Sequence, residues 1–345
     1  MRGLKARAHG YAHARAGLLG NPSDGYGGKA IGLCMADLSA QAFVEPAEGL
    51  RVLGDGNAVA VFSGFEDLGK DFARGGFEHG LGLLKAALHR FGQAHAGRLR
   101  EDPNDPRLQF SIRFETDIPL QVGLAGSSAI VIAALRALAD WFGFSLAPAQ
   151  LAQFALEAET EDLGIAAGPM DRIVQAFEGV VAMDLALPGD FSSHWALDPG
   201  SLPPLFVAWD PAGGKPSGLA HGVLRERWKA GDPEVMQAIE SFRRLVDEGV
   251  EALARGDHTL FRDAMDRNFA LRREIFPVAE TDSKMVALAA SHGASAKLCG
   301  SGGAVIGSPG DEGDFDSLQA AYSAAGYGFL RPSVKASSAS RKPSA

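Results

Sequence analysis

Glycine and serine are concentrated in one short segment, residues 119–129, which reads P-L-Q-V-G-L-A-G-S-S-A. Gly123 and Gly126 would let the backbone approach a polyanion closely, because glycine carries no obstructing side chain. A helix beginning near the serines would add unpaired backbone N–H groups and the positive end of its dipole. The segment therefore predicts a cradle for phosphate groups. A turn that uses glycine for geometry and serine for capping is the alternative.

The flanking residues predict the elements that hold this loop. Apolar and polar residues alternate from Leu108 to Glu115, the period-two pattern of a half-buried strand. Residues 130–142 are apolar and rich in helix formers, with Ser127 or Ser128 placed to cap the first turn. The loop differs from the common P-loop, because no lysine follows its second glycine.

Composition excludes several classes of protein. The 345 residues give room for two domains with substantial cores. A net charge of −9 argues against broad binding to nucleic acid or to an anionic membrane. Cys34 and Cys299 lie far apart in sequence, which disfavours a disulfide framework and a zinc site. With neither a membrane-length apolar run nor an apolar secretion signal, the chain is expected to be cytoplasmic. Its oligomeric state is not indicated.

Strand-like and helix-like segments are interspersed, which predicts a mixed α and β fold. Residues 233–255 and 258–275 are predicted to form a long helical pair broken at Gly256. Residues 188–204 are rich in proline and glycine and predict a domain boundary. Residues 333–345 carry almost nothing to bury and predict a disordered tail.

Three further segments share a family pattern with the loop. Residues 15–28 read R-A-G-L-L-G-N-P-S-D-G-Y-G-G, residues 158–171 read A-E-T-E-D-L-G-I-A-A-G-P-M-D, and residues 297–304 read K-L-C-G-S-G-G-A. Together with the loop, which carries Gly126 as an additional residue, they resemble the GHMP kinases (galacto-, homoserine, mevalonate and phosphomevalonate kinases). The resemblance implies an α+β, two-domain GHMP kinase fold. Its N-terminal ATP-binding domain, residues 1–190, would be ribosomal protein S5 domain 2-like, and residues 191–332 would form a ferredoxin-like α/β sandwich.

One branch of this family matches in more detail. Residues 17–24, residues 163–168 followed by Asp171 and Arg172, and residues 221–228 resemble glucuronokinases. Asn21 and Pro22 replace the Glu-His pair usual in galactokinases. The resemblance implies ATP-dependent phosphorylation of D-glucuronate at C1, giving D-glucuronate 1-phosphate and ADP.

Phosphoryl transfer requires phosphate positioning, a divalent ion, a charge-stabilising cation and a group that receives the proton of the attacking hydroxyl. Asp171 is the candidate base, with a helix N-cap as the alternative. Arg15 or Lys29 would neutralise charge, although a lone cation is more often a surface group. The triphosphate would be held by Gly123, Leu124, Ala125, Gly126, Ser127, Ser128 and Ala129.

Magnesium prefers oxygen ligands, and Mg²⁺ is expected to bind Ser127 or Ser128 together with Glu159. The alternative for Glu159 is a solvated carboxylate on a helix rich in acidic residues.

The sugar site is less sharply defined by the sequence. Asp24 would bind sugar hydroxyls, with a simple turn as the alternative. The substrate carboxylate requires a basic partner, and four are available without a ranking: Arg172, Lys215, His221 and Arg225. A second glycine-rich segment would close over the phosphates, support the substrate loop or form a tight turn: Gly300, Ser301, Gly302 and Gly303.

Two other functions fit the same residues. The acceptor could be galacturonate, a heptose phosphate or another hexose, because a glycine loop and a base do not identify a sugar. The chain could also be a non-catalytic nucleotide or metabolite sensor. Retention of Ser127, Ser128, Glu159 and Asp171 disfavours the sensor, since a protein that only binds does not need a base.

Overall fold

The computed structural model describes residues 5–54, 58–75, 81–100, 102, 104–186, 193–212, 218–310 and 315–339, with backbone alone for Arg100 and residues 218–223. Contacts divide the chain into two compact units, each built from separated stretches. The first unit contains Met1–His13, Leu38–Ile118 and Gly126–Ile165. The second contains Ala14–Asp37, Pro119–Ala125 and Ala166–Ala345. These units interleave along the chain, and the contiguous division at residue 190 stays a prediction.

Helices and strands occur in both units, as the sequence predicted. In the described residues the strands are β1 (Ala8–Leu19), β2 (Lys29–Pro46), β3 (Leu50–Leu53), β4 (Val59–Phe62), β5 (Phe110–Thr116), β6 (Val180–Asp184), β7 (His194–Leu197), β8 (Phe206–Trp209), β9 (Ala294–Leu298), β10 (Ala304–Pro309) and β11 (Gly328–Leu330). The helices are α1 (Phe65–Ala73), α2 (Gly82–Ala94), α3 (Ala96–Arg100), α4 (Gly126–Phe142), α5 (Pro148–Glu157), α6 (Met170–Phe177), α7 (Gly218–Lys229), α8 (Pro233–Arg255), α9 (His258–Ile275), α10 (Glu280–Ser291) and α11 (Phe315–Ala324). None of these helices is both long enough and apolar enough to span a bilayer.

The first unit pairs its strands around β5. Residues 40–46 of β2 run antiparallel to β5, and β3 runs parallel to it on the other side. Strand β4 then pairs antiparallel with β3. Aromatic side chains fill the core, with the ring of Phe142 at 5.9 Å from that of Phe110 and 5.6 Å from that of Phe91. Such close, tilted rings bury a large apolar area and fix α4 and α2 in the core.

Helix α4 is apolar on almost every face and accordingly lies largely buried. It begins at Gly126, directly after Ala125, whose φ of 61° is in the left-handed region. The helix predicted over residues 130–142 is thus confirmed, and it begins four residues earlier than predicted. The predicted serine cap is wrong, because Ser127 and Ser128 lie inside the first turn rather than before it.

The second unit contains an antiparallel sheet in the order β11-β8-β10-β9. Its core joins Phe206 and Val305 of the sheet to Phe269 of α9, Met285 of α10 and Tyr322 of α11. In the same unit, β6 pairs with residues 29–33 of β2 and with β7.

Helices α8 and α9 have the boundaries that the sequence predicted. Asp232 accepts hydrogen bonds from the backbone N–H groups of Glu234 and Val235, and Asp257 accepts one from that of Leu260. Gly256 ends α8 at a φ of 69°. An aspartate side chain thus caps the beginning of each helix, and a glycine in the left-handed conformation ends α8.

Residues 333–339 do not form the predicted disordered tail. The backbone N–H of Ser333 donates to Asp37 at 2.6 Å, and that of Ser338 donates to the carbonyl of Phe177 at 2.8 Å. Val334 also forms an antiparallel bridge with Met35. Backbone hydrogen bonds compensate for the lack of apolar side chains in this stretch. Residues 340–345 lie outside the described part of the chain.

Candidate active site

Two glycine-rich loops meet backbone to backbone in the second unit. A Cβ atom on Gly123 would lie 2.6 Å from the carbonyl oxygen of Gly302, and one on Gly303 would lie 2.8 Å from Cα of Val122. All three glycines have positive φ values, of 75°, 140° and 88° for residues 123, 302 and 303. Both the approach and the backbone conformation therefore require glycine. The loops predicted to bind phosphate and to close over it are in direct contact.

The side chain of Arg15 joins these two loops. Its Nη1 donates to the carbonyl oxygens of Gly123 at 3.1 Å and Cys299 at 2.9 Å, and its backbone N–H donates to Leu124. Its Nη2 forms an ion pair with Asp171. Arg15 is only 4% exposed, so it is not the surface cation that its residue type alone would favour. It links all four of the matched motifs.

Asp171 lies in the first turn of α6, where the N-cap is Pro169. The alternative of an N-cap role for Asp171 is therefore wrong. The next residue, Arg172, is buried, donates to the carbonyl of Gly168 at 2.9 Å and lies 3.6 Å from Asp171. Two guanidinium groups thus lie beside the carboxylate of Asp171, and Arg172 holds the loop that leads into α6.

Asp24 lies beside the same carboxylate. It belongs to a short 3-10 turn, Ser23–Tyr26, and accepts a hydrogen bond from the backbone N–H of Met170. Burial, with a further contribution from Asp171, raises the pKa of Asp24 to about 6, although Arg15 opposes the shift. A Cβ on Gly168 would lie 2.2 Å from Oδ2 of Asp24, so glycine is needed there. The turn carries a perturbed carboxylate and is more than a chain reversal.

Lys29 pairs with different carboxylates from the one that pairs with Arg15. Its Nζ lies 2.7 Å from Asp247 and 3.8 Å from Asp184. Of the two predicted charge-neutralising cations, Arg15 is the one that pairs with Asp171.

In the first unit, Ser127 and Glu159 form a second polar pair. The hydroxyl of Ser127 donates to Oε1 of Glu159 at 2.6 Å. Glu159 is fully buried, so the alternative of a solvated helix carboxylate is wrong. It lies in a π-helical turn, Ala158–Asp162, that follows α5. Such turns are rare and frequently mark functional sites.

Comparison with known proteins places this arrangement in a family. Residues 83–179 match the model of the GHMP kinases N terminal domain, and residues 250–328 match that of GHMP kinases C terminal. Over 307 residues the chain is 34% identical to glucuronokinase 1 from Arabidopsis thaliana, covering 85% of this chain and 82% of the relative. The chain belongs to the GHMP kinase family. Its predicted enzyme class, a phosphotransferase, is confirmed with that membership.

Solved structures of GHMP kinases share the fold. Galactokinase from Lactococcus lactis, complexed with galactose, aligns with a TM-score of 0.74 at 13% identity, covering 96% of this chain and 95% of that one. Mevalonate kinase from Methanococcus jannaschii aligns with a TM-score of 0.72 at 17% identity, covering 96% and 100%. The predicted two-domain α+β GHMP kinase fold is confirmed. GHMP kinases use ATP, which confirms the nucleotide part of the cofactor prediction.

The oxygen atoms of Ser127 and Glu159 fit a magnesium ion in this GHMP kinase. Within the described ranges no group of three or more His, Cys, Asp and Glu side chains could hold a metal. Mg²⁺ does not require such a group, because one or two protein oxygens, substrate phosphates and waters complete its shell. Ser127 donates to Glu159, and Ser128 is fully buried within α4. The pair therefore favours Ser127 as the serine ligand.

The predicted sugar-binding residues are only partly placed. Arg225 of α7 is half-buried and interacts electrostatically with Tyr26. Burial raises the pKa of the Tyr26 hydroxyl to about 12, and Arg225 opposes that shift. Lys215 lies outside the described residues, and for His221 only the helical backbone is described. Their roles stay predictions.

Two polar residues that support the glycine-rich loops were not predicted from the sequence. Arg272 donates to the carbonyl oxygens of Gly300 at 2.9 Å and Ser301 at 3.0 Å. Asp282 accepts from the backbone N–H of Gly303 at 2.7 Å. Arg272 continues the apolar stripe of α9, and a charged residue at a buried helical position is a signal that could have found it.

Proposed function

We propose that this GHMP kinase transfers the γ-phosphoryl group of ATP to the C1 hydroxyl of D-glucuronate, giving D-glucuronate 1-phosphate and ADP. The similarity to glucuronokinase 1, over most of both chains, supports the acceptor. The observation that carries the chemistry is the buried guanidinium of Arg15, which contacts Asp171 and both glycine loops. A cation and a carboxylate are thus combined beside a phosphate cradle.

Asp171 would accept the proton of the attacking hydroxyl. A carboxylate can do so when it lies within hydrogen-bond reach of that hydroxyl. Arg15 would stabilise the charge that develops on the transferred phosphoryl group. Because its contacts with Gly123 and Cys299 already hold the guanidinium, little reorganisation is needed during the reaction.

Residues 123–129 would hold the triphosphate. The N-terminus of the 17-residue helix α4 directly follows Gly123 to Ala125 and would offer its unpaired backbone N–H groups to the phosphates. Ser127 and Glu159 would hold Mg²⁺, which when bound supplies positive charge against the phosphate oxygens. The residues from 300 to 303 would support this cradle, since Gly302 and Gly303 contact Val122 and Gly123.

Asp24 and Arg225 would recognise the sugar acid. Asp24 has the acceptor oxygens that bind hydroxyl groups and lies beside the proposed base. Among the four predicted basic residues we favour Arg225 for the carboxylate, because the Arg172 guanidinium already holds Gly168 and Asp171. A guanidinium can pair with a carboxylate in a two-pronged geometry.

The acceptor is tested by incubating purified protein with Mg-ATP and a panel of D-glucuronate, D-galacturonate, D-galactose and a heptose 7-phosphate. We expect ADP release with D-glucuronate and a sugar 1-phosphate signal in ³¹P NMR. Arg225→Gln should raise the KM for D-glucuronate at least about tenfold, the order of a lost charge-assisted hydrogen bond. The matched control Arg244→Gln, an exposed position on α8, should leave it unchanged. Absence of ADP release with D-glucuronate would refute the proposed substrate.

A heptose phosphate has independent support as a second acceptor. Over 87 residues the chain is 36% identical to D-glycero-alpha-D-manno-heptose 7-phosphate kinase from Campylobacter jejuni, covering 25% of this chain and 26% of that one. Turnover of the heptose phosphate in preference to the uronic acids would select it. Tight ATP binding without turnover of any acceptor would instead indicate a sensor.

A further inference from the structure

Glu159 depends on an irregular piece of backbone for its position. In the π-helical turn Ala158–Asp162, the N–H of Leu163 donates to the carbonyl of Ala158 at 3.1 Å. The N–H of Ile165 donates to the carbonyl of Glu159 itself at 2.7 Å. A π turn inserts a residue into the helical repeat and makes poorer hydrogen bonds than an α-helix. Side-chain contacts that hold the turn therefore influence where the Glu159 carboxylate lies.

Arg90 of α2 holds the end of this turn. Its Nε donates to Oδ2 of Asp162 and its Nη2 to Oδ1, both at 2.6 Å. The same guanidinium also lies 2.8 Å from Glu161 and 3.5 Å from Glu157. The Asp162 side chain is only 6% exposed and that of Arg90 only 14%. Two parallel hydrogen bonds in a shielded position fix both the distance and the orientation of their partner.

We propose that Arg90 is a positioning residue for metal binding, acting through Asp162 and the π turn to keep Glu159 in contact with Ser127. This inference rests on the proposed function, in which Ser127 and Glu159 hold Mg²⁺. Asp162 and Glu159 belong to the same single turn, so release of Asp162 would let the turn relax toward regular helix. Relaxation would rotate Glu159 away from the Ser127 hydroxyl, which it now contacts at 2.6 Å.

An ion pair that only stabilises the fold would behave differently. It would alter the melting temperature without altering metal affinity. Residues that orient a metal ligand typically change metal affinity by about 10- to 100-fold when they are substituted. Metal affinity measured apart from turnover therefore separates the two roles.

The decisive measurement is Mn²⁺ binding to the full-length protein with a non-hydrolysable ATP analogue, followed by the EPR signal of free Mn²⁺. We expect Arg90→Gln to weaken Mn²⁺ binding at least about tenfold. The Mg²⁺ concentration for half-maximal activity should rise in parallel, with kcat at saturating Mg²⁺ within about threefold of wild type. Unchanged Mn²⁺ affinity in the folded variant would overturn the inference.

Arg107→Gln is the matched control, because Arg107 forms a similar two-pronged pair with Asp105 in the same unit, from Nε to Oδ1 and from Nη2 to Oδ2. It should lower the melting temperature and leave Mn²⁺ affinity unchanged. If Arg90→Gln fails to fold, Arg90→Lys keeps the charge while losing the planar fork, and should still weaken Mn²⁺ binding severalfold. Wild-type Mn²⁺ affinity in that variant would equally overturn the inference.

A double-variant cycle tests the route through Asp162. The Arg90→Gln and Asp162→Asn changes combined should weaken Mn²⁺ binding no more than the stronger single change, because both break one connection. Additive effects of the two changes on Mn²⁺ affinity would refute this route.

The Glu159→Gln variant separates this inference from the proposed function. If Arg90→Gln and Glu159→Gln both bind Mn²⁺ with wild-type affinity, the proposed metal site is wrong. If Glu159→Gln weakens Mn²⁺ binding and Arg90→Gln does not, the metal site stands and the positioning role of Arg90 is wrong.

Discussion

The guanidinium of Arg15 pairs with the carboxylate of Asp171 while donating to the carbonyl oxygens of Gly123 and Cys299. A buried charge is tolerated only when it is paired and hydrogen-bonded. Asp171 therefore balances Arg15 in addition to its proposed role as base. The carbonyl contacts place that pair at the junction of the two glycine loops. Substitution of either partner should consequently affect both stability and turnover.

Asp171→Asn should abolish most turnover and lower the free energy of unfolding, while the chain still folds. Asparagine retains an oxygen that can accept from Arg15, but its amide cannot take the proton of the sugar hydroxyl. We expect kcat to fall by about 10²- to 10⁴-fold, the usual contribution of a general base. Circular dichroism and ATP binding should remain close to wild type. Asp263→Asn on the exposed face of α9 serves as control, and wild-type turnover in Asp171→Asn would remove Asp171 from the mechanism.

Arg15→Lys should impair both catalysis and stability despite conserving the charge. A lysine ammonium cannot reach Asp171, Gly123 and Cys299 together, because it lacks the planar fork of arginine. We expect kcat to fall by about 10²- to 10³-fold and the free energy of unfolding to fall by about 1–3 kcal/mol. Steady-state kinetics and urea unfolding measure the two effects. Arg255→Lys, at a position whose side chain is 69% exposed, should change neither.

The raised pKa of Asp24 predicts a pH-dependent stability difference. Burial favours the protonated form in the folded state, where the pKa is about 6, whereas the unfolded chain titrates near 3.8. Between these values the folded state binds more protons, so this group's contribution to the free energy of unfolding falls as pH rises. We expect Asp24→Asn to match wild type below about pH 4 and to become relatively more stable toward pH 6. Urea unfolding across this range measures the difference.

Ionisation of Asp24 should raise catalytic efficiency, although it lowers the stability of the folded state. If the ionised form of Asp24 binds the sugar hydroxyls, kcat/KM for the sugar should rise with pH through an apparent pKa of about 6. The Asp24→Asn variant should lose this ionisation from its profile. An unaltered profile in that variant would assign the ionisation to another group.

Gly123→Ala should damage ATP binding more than a comparable change elsewhere. The new Cβ would lie 2.6 Å from the carbonyl oxygen of Gly302 at a φ of 75°. Strain of about 1–2 kcal/mol from the left-handed backbone would be joined by about 1–3 kcal/mol from the contact. Gly256→Ala is the matched control, because its φ is 69° and a Cβ there would meet nothing within 4 Å. Equal losses of stability and ATP affinity in the two variants would argue against close loop packing.

Local sequence patterns predicted some elements accurately. Helices α8 and α9 were bounded correctly because Pro233, Gly256 and the aspartate caps act within a few residues. Strand β1 was missed because Ala8–Leu19 is rich in alanine and glycine, with few of the β-branched or aromatic residues that mark strands. Its burial comes from tertiary packing, which no local pattern reports.

The site was predicted as a set of residues but not as an arrangement. The family resemblance predicted Glu159 and Asp171 as site residues, whereas the π turn around Glu159 and its full burial are tertiary features. The contact of Gly123 with Gly302 joins segments distant in sequence, so neither loop predicts it alone. Likewise, nothing around Arg90 indicates that Asp162 is its partner.

The hydrogen bond from Arg15 to Cys299 spans 284 positions of the chain. At roughly 5–20 residues per second, a ribosome takes on the order of 15–60 seconds to synthesise that interval. During this time a nascent chain carries the guanidinium and, in due course, Asp171, but not the carbonyl that completes the junction. We therefore expect phosphoryl transfer to begin only after Cys299 has been synthesised, so that a shorter nascent chain does not consume ATP.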